Sequence, residues 1–105
     1  MWVRSAFWVG TVRRGNEEQF RRLVDEELIP VIRELPGPKA VKALWPAERE
    51  DNPPQIALQV IVEFERREDI DVMLASPGRA EVRSRAASLA SMFDGVFCHI
   101  NYEVS

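Results

Sequence analysis

A chain of 105 residues is long enough to enclose a hydrophobic core, and one domain spanning residues 1–105 is expected. Hydrophobic residues make up 46% and charged residues 30%, which excludes a disordered or membrane-spanning class. The 14 basic and 17 acidic residues leave a net charge of −3. The arginines alternate with acids rather than forming a patch, so no nucleic-acid partner is expected. A single cysteine, Cys98, leaves no intrachain disulfide and fits a cytoplasmic setting.

The opening "MWVRSAFWVGTV" is rich in aromatic and β-branched residues and reads as a strand. It carries Arg4 near its middle and is too short to span a bilayer, so neither a secretory leader nor a membrane segment is expected. Gly15 and Asn16 end it, and Asn16 is placed to cap a helix in a box with Gln19. Phe20, Leu23, Val24, Leu28, Val31, Ile32 and Leu35 then recur at helical steps. Glu17–Arg21 and Glu18–Arg22 are spaced to pair on the outer side. Pro30 lacks an amide proton, so the helix should kink or divide near Leu28 before "PGP" ends it.

"KAVKALWPAE" reads as a second, weaker strand, and "EREDNPPQ" as an exposed hairpin loop. "IALQVIVEF", residues 56–64, is the strongest strand signal. "REDIDVMLAS" forms a short helix, after which Ser76 and Pro77 restart the chain as a helix over 79–93. Asp94 and Gly95 should stop that helix, leaving 96–104 as the last strand.

The order βαββαβ is ferredoxin-like: a four-stranded antiparallel sheet with both broken helices on one face. Alternation divides the last strand into Val96, Cys98, Ile100, Tyr102 and Val104 against Phe97, His99, Asn101 and Glu103. Placing the wholly apolar sets under the helices puts Cys98 in the core, together with Val3, Phe7 and Val9. It leaves Trp2, Arg4, Trp8, Gln59, Ile61, Glu63, Phe97, His99, Asn101 and Glu103 on the uncovered face. A surface mixing large aromatics with hydrogen-bonding groups is expected to meet a ligand or a partner.

The βαββαβ order, "ELIPVIRELPG" closing the first helix and "DVMLASPGRAEVRS" splitting the second together resemble the dimeric α+β barrel superfamily. The likeness is to its antibiotic-biosynthesis-monooxygenase-like and stress-responsive members. It implies a homodimer joined through the open sheet face, with a small-molecule pocket. Members include enzymes, ligand binders and proteins without known activity. The haem-degrading members hold iron through a histidine on the second helix, and residues 66–93 contain none.

The candidate ligand-binding set is therefore Arg4, Trp8, Gln59, Glu63, Phe97, His99 and Asn101. His99 is the one candidate catalytic group, with either an acid–base role or a supporting role in the dimer interface. Glu63 and Glu103 can act as paired carboxylates or as partners of Arg4 at a wet rim. Trp2, Trp8 and Trp45 can stack on a flat ligand or anchor the dimer. No metal or cofactor is expected, since one histidine and one cysteine on opposite faces make no zinc ligand set. Two functions follow: a cofactor-independent oxygenase or related enzyme on a hydrophobic or aromatic metabolite, and a non-catalytic ligand-binding or stress-related module.

Overall fold

The computed structural model describes residues 1–105. Strands β1 (Trp2–Val12), β2 (Ala40–Leu44), β3 (Ile56–Phe64) and β4 (Phe93–Glu103) form one sheet in the order β2-β3-β1-β4, every neighbouring pair antiparallel. Helices α1 (Glu17–Leu23), α2 (Ile29–Arg33), α3 (Arg67–Ala75) and α4 (Arg79–Ala90) complete the ferredoxin-like α+β architecture. No helix is long and apolar enough to cross a membrane.

The first helical rod divides where Pro30 requires it. Val24–Leu28 is a π-helical turn between α1 and α2, and Pro30 follows at the start of α2. A π turn inserts one residue into the helical count and so rotates everything after it. Phe20 and Val24 are buried before the turn, Leu28, Ile29, Ile32 and Leu35 from its end onward. Ile29, absent from the sequence periodicity, enters the core through that rotation.

Local polar contacts depart from the spacing rules at the start of α1. Asn16 occupies the cap position but makes no side-chain cap bond. The Gly15 amide instead donates to Glu17 Oε1 at 2.6 Å. Arg21 pairs with Asp25 at 3.9 Å rather than with Glu17, and lies 4.9 Å from the Trp45 ring.

The second helical region breaks where "SPG" interrupts it. Ser76 Oγ accepts from the Gly78 amide at 3.3 Å and the Ser76 carbonyl accepts from Arg79 at 3.1 Å, so α4 starts anew. It ends at Ala90, earlier than the periodicity suggests, because Phe93 already belongs to β4 and pairs with Val12. Gly95 is likewise inside the strand rather than a helix stop, directly opposite Gly10.

That glycine pair is a close approach of two backbones. Gly10 and Gly95 adopt φ of 139° and 154°, and a Cβ on either would lie 2.1 Å from Asp94 O or 2.0 Å from Val9 O. Nearby, β1 and β3 shift register between Trp8 and Val9, which places Ile56 opposite Val9 and outside the core cluster.

The core is a single cluster between the helices and β1–β3, with Trp8, Phe20, Leu58, Phe64, Ile70 and Leu89 among its fully buried members. Trp8 is 1% exposed and meets Phe20 and Phe93 edge-on at 5.6 and 5.3 Å. Its Nε1 has no hydrogen-bond partner, a cost of about 1–3 kcal/mol that the burial of so large a ring outweighs.

The Gly10–Gly95 crossing predicts that Gly95→Ala lowers the unfolding free energy by at least about 1–3 kcal/mol, the usual cost of forcing a side chain into such a conformation. Gly15→Ala, where nothing lies within 4 Å of a new Cβ, should cost less. Denaturant midpoints of the two variants give the comparison, and equal midpoints would contradict the close approach.

Candidate functional site

Cross-strand register decides which side chains share a face, because directly paired residues point the same way. Trp2, Arg4, Ala6 and Trp8 of β1 pair with Phe64, Val62, Val60 and Leu58 of β3, all buried beneath the helices. The same β1 residues pair across the other edge with Glu103, Asn101, His99 and Phe97. The mixed set of β4 therefore faces the helices.

This reverses the face assignment made from polarity for β1 and β4. Val3, Phe7 and Val9 lie on the open face, as do Val96, Cys98, Ile100 and Tyr102. Cys98 is exposed rather than core. Cys98 and His99 do lie on opposite sides of the sheet, but with the sides exchanged. Polarity misleads here because the open face is itself apolar: Val96, Ile100 and Tyr102 are 61%, 46% and 42% exposed in the single chain.

Between sheet and helices lies a cavity of about 260 Å³, close to the ~300 Å³ lower end of small-molecule sites. Val60, Val62 and Ala6 form its floor, and Trp8, Phe97 and His99 one end. Leu28, Ile32, Met73, Leu74, Val82 and Ala86 supply the helical walls. Four polar side chains reach it: Arg4, Arg79, Arg83 and His99, with no carboxylate among the lining residues.

The aromatic end is held by contacts in series. Phe97 lies 4.6 Å from Trp8, and His99 meets Phe97 edge-on at 4.7 Å. Trp8, packed on its far side by Phe20 and Phe93, is a fixed wall. Arg4 Nη1 donates to Asn101 Oδ1 at 3.0 Å, which fixes the guanidinium at the cavity edge.

Of the sequence candidates, Arg4, Trp8, Phe97 and His99 come together around the cavity, with Asn101 behind Arg4. Gln59 and Glu63 do not join them. Both lie on the open face, where Gln59 Nε2 donates to buried Ser5 Oγ at 2.8 Å and Glu63 sits 3.9 Å from Lys42. Glu63 is across the sheet from Arg4, and Glu103, opposite Trp2 on Arg4's side, makes no ion pair with it; the two carboxylates lie on opposite faces and do not form a pair. Neither Trp2 nor Trp45 lines the cavity: Trp2 lies 5.9 Å from Arg67, and Trp45 Nε1 donates to Asp25 at 3.2 Å.

The helical side chains were the part sequence reasoning missed. Arg79 and Arg83 stand one turn apart on α4, flanking Val82, and Ala86 continues the same face. That spacing was readable as one stripe, but arginine among acids reads as a solvated surface. The acids are engaged elsewhere: Glu81 and Glu27 both accept from Arg85, which ties α4 to the π turn.

Electrostatics in the cavity follow from this one-sided charge. Burial pushes the His99 imidazole down from 6.5 to about 4, with the positive charges of Arg4 and Arg79 adding to it. By accessible surface His99 is an exposed residue in the single chain, shielded only on its cavity side by Phe97 and the arginines. Burial also lowers Arg4, with Arg79 and Arg67 repelling it, though a guanidinium stays charged at neutral pH. At neutral pH the site thus holds a neutral imidazole, able to accept a proton, beside fixed cations that stabilise a nearby anion.

No family model matches the sequence, and no curated protein matches it. Solved structures do match the fold. An ethyl tert-butyl ether d family protein from Bacillus halodurans superposes with TM-score 0.76 at 11% identity, covering 100% of this chain and 99% of its own. A putative antibiotic biosynthesis monooxygenase from Deinococcus radiodurans gives TM-score 0.70 at 13% identity, over 100% of this chain and 93% of that one. This chain therefore shares the ferredoxin-like α+β fold of these two proteins. SnoaB, a cofactor-independent oxygenase from Streptomyces nogalater, shares it at TM-score 0.63 and 16% identity, over 98% of this chain and 90% of its own. At these identities the likeness is one of fold.

The depressed His99 value carries a signed prediction. The folded state resists protonating His99, so its contribution to stability is present above pH 6.5 and is lost as pH falls toward about 4. The chain has one histidine, so its imidazole proton resonances titrate alone and should show a midpoint near 4. His99→Asn should flatten the fall in melting temperature across the same interval. A midpoint at 6.5 in the folded protein would contradict the placement of His99 against the cavity and its arginines.

Proposed function

We propose that this protein is a homodimeric, small-molecule-binding α+β barrel protein. On this reading its sheet–helix cavity takes a hydrophobic or aromatic metabolite and acts on it as a cofactor-independent oxygenase or related enzyme. The observation that carries the reading is the convergence of one neutral imidazole and a hydrogen-bonded guanidinium, with Arg79 and Arg83 beside them, on a largely apolar cavity that holds no carboxylate. Such a pocket is where a small ligand gains most from desolvation.

In this reading an enolisable or phenolic substrate lies against Phe97 and the helical walls. His99 accepts its acidic proton and Arg4 holds the resulting oxyanion. Removing the proton makes the ring electron-rich enough to react with dioxygen, and the apolar walls keep bulk water from the reacting carbon. The fold likeness to SnoaB, a cofactor-independent oxygenase, agrees with this chemistry.

A second reading, a ligand-binding module without turnover, is favoured by one observation. A histidine held near 4 is a weak base, and the cavity has no other side chain to serve as one.

The partner we infer is a second copy. Exposed Val96, Ile100 and Tyr102, together with Leu44, give the open sheet face the apolar character of an interface. The cavity and the interface then use opposite faces of one sheet, so assembly does not compete with ligand entry. A reducing, cytoplasmic setting fits the unpaired Cys98 thiol on that face.

Two variants separate these roles. Ile100→Asp should convert a species of twice the 12.1 kDa chain mass into monomers by light scattering. It should also speed the labelling of Cys98, which the partner covers in the wild type. Wild-type protein already monomeric at micromolar concentration would overturn the dimer. His99→Ala should remain dimeric while oxygen uptake with a panel of hydroxylated aromatic compounds, free of metal or flavin, falls about 100-fold or more. Uptake unchanged in that variant would remove His99 from the chemistry. Binding of these compounds to wild type without uptake would favour the module.

A further inference from the structure

The charge on the cavity is unbalanced in a way the oxygenase reading does not use. Arg4 rises from the sheet floor, while Arg79 and Arg83 come from successive turns of α4. None of the three has a carboxylate within salt-bridge distance; Arg14, Arg22, Arg33 and Arg49 lack one as well, but only Arg4, Arg79 and Arg83 converge on one acid-free cavity. Arg4 donates to a neutral amide and Arg79 to the Leu74 carbonyl at 3.4 Å. After burial, the charge of Arg79 lowers Arg4, and both arginines oppose a charge on His99.

Bringing half-buried guanidiniums together around an apolar chamber costs desolvation and mutual repulsion unless a counter-charge arrives. The 17 acidic residues of the chain leave that place unfilled. A transient oxyanion on a neutral substrate asks for one such group. Arg4 and Arg79, with Arg83 at the exposed rim, offer more positive charge than that before any chemistry begins.

We propose that the ligand of this cavity is an amphipathic anion, a one- or two-ring apolar body bearing a carboxylate. The carboxylate sits between Arg4 and Arg79, where the planar guanidinium fork matches its two oxygens. The ring body lies along Val60, Val82 and Phe97 toward Trp8. Arg83 draws the anion to the mouth. The cavity volume of about 260 Å³ suits a body of this size. This inference rests on the cavity being the ligand site, and it assigns the ligand's charge class.

The bound carboxylate neutralises the field that Arg4 and Arg79 impose on His99. Its imidazole pKa therefore rises on binding, because no acid on β1, β3, α3 or α4 faces it in the cavity to have done so already.

The test compares 2-naphthoate with 2-naphthamide, equal in shape and differing in charge, by calorimetric titration and by the His99 resonances of the wild-type protein. The expected result is at least about tenfold tighter binding of the naphthoate, the return of roughly one charge-assisted hydrogen bond. The preference should shrink with added salt, and the His99 midpoint should rise from near 4 only with the acid. Arg79→Gln should bring the naphthoate to the amide's affinity. Arg14→Gln, the same charge change on an exposed loop outside the cavity, should leave the preference intact. Equal or tighter binding of the amide overturns the anion assignment and leaves the cavity as the ligand site. Failure of both probes to bind or to shift His99 removes the cavity reading and this inference together.

Discussion

The pairing of β1 with β4 is the constraint on which the rest depends. It runs the full length of both strands, from Trp2 opposite Glu103 to Val12 opposite Phe93. Its register fixes parity: with Trp8 under the helices, Phe97 and His99 must be there too, and Cys98 and Ile100 must face away. One residue of slip would exchange the faces and with them the whole site. The Gly10–Gly95 crossing defends that register, since neither backbone could approach so closely with a Cβ present.

The same pairing explains why a cavity exists. β4 is the edge strand, joined only to β1, and of its residues only Phe93 is buried. Over β1–β3 the helices pack down on Leu58, Val60, Val62 and Phe64 and form the core. Toward β4 the floor is made by Ala6, Phe97 and His99, with α4 above them contributing Val82, Ala86 and the two arginines. A small residue on β1 and polar ends on β4 and α4 leave space that a core of branched apolar residues would fill.

Much of this was legible in the sequence. The element order, the division of both helical regions at Pro30 and "SPG", and the full extent of β3 follow from breakers and periodicity acting locally. The faces of β1 and β4 were not legible, because the rule that apolar residues turn inward assumes that the other side meets water. In β4 both alternating sets have reason to be covered: the apolar one by an inferred partner, the mixed one by helices standing off from it. Arg4, Trp8, Phe97 and His99 do share one side of the sheet, as alternation suggests, but it is the helical side and not the open face to which their polarity assigned them. Gln59 and Glu63 were grouped wrongly because the link between β1 and β3 is a matter of register, which polarity does not encode. Arg79 and Arg83 were missed for a related reason: their spacing was visible, but not the acid-free cavity that they face.

The central claim is that ligand enters between the sheet and α4, on the side opposite the assembly face. Anomalous diffraction from crystals grown with 6-bromo-2-naphthoate tests it most directly, since bromine marks the ring body without reliance on its shape. The account predicts one bromine peak per chain within the chamber bounded by Trp8, Val60, Val82 and Phe97, with the carboxylate toward Arg4 and Arg79. A bromine peak between facing sheets, against Phe7, Ile61 and Ile100, with the chamber empty, would contradict it.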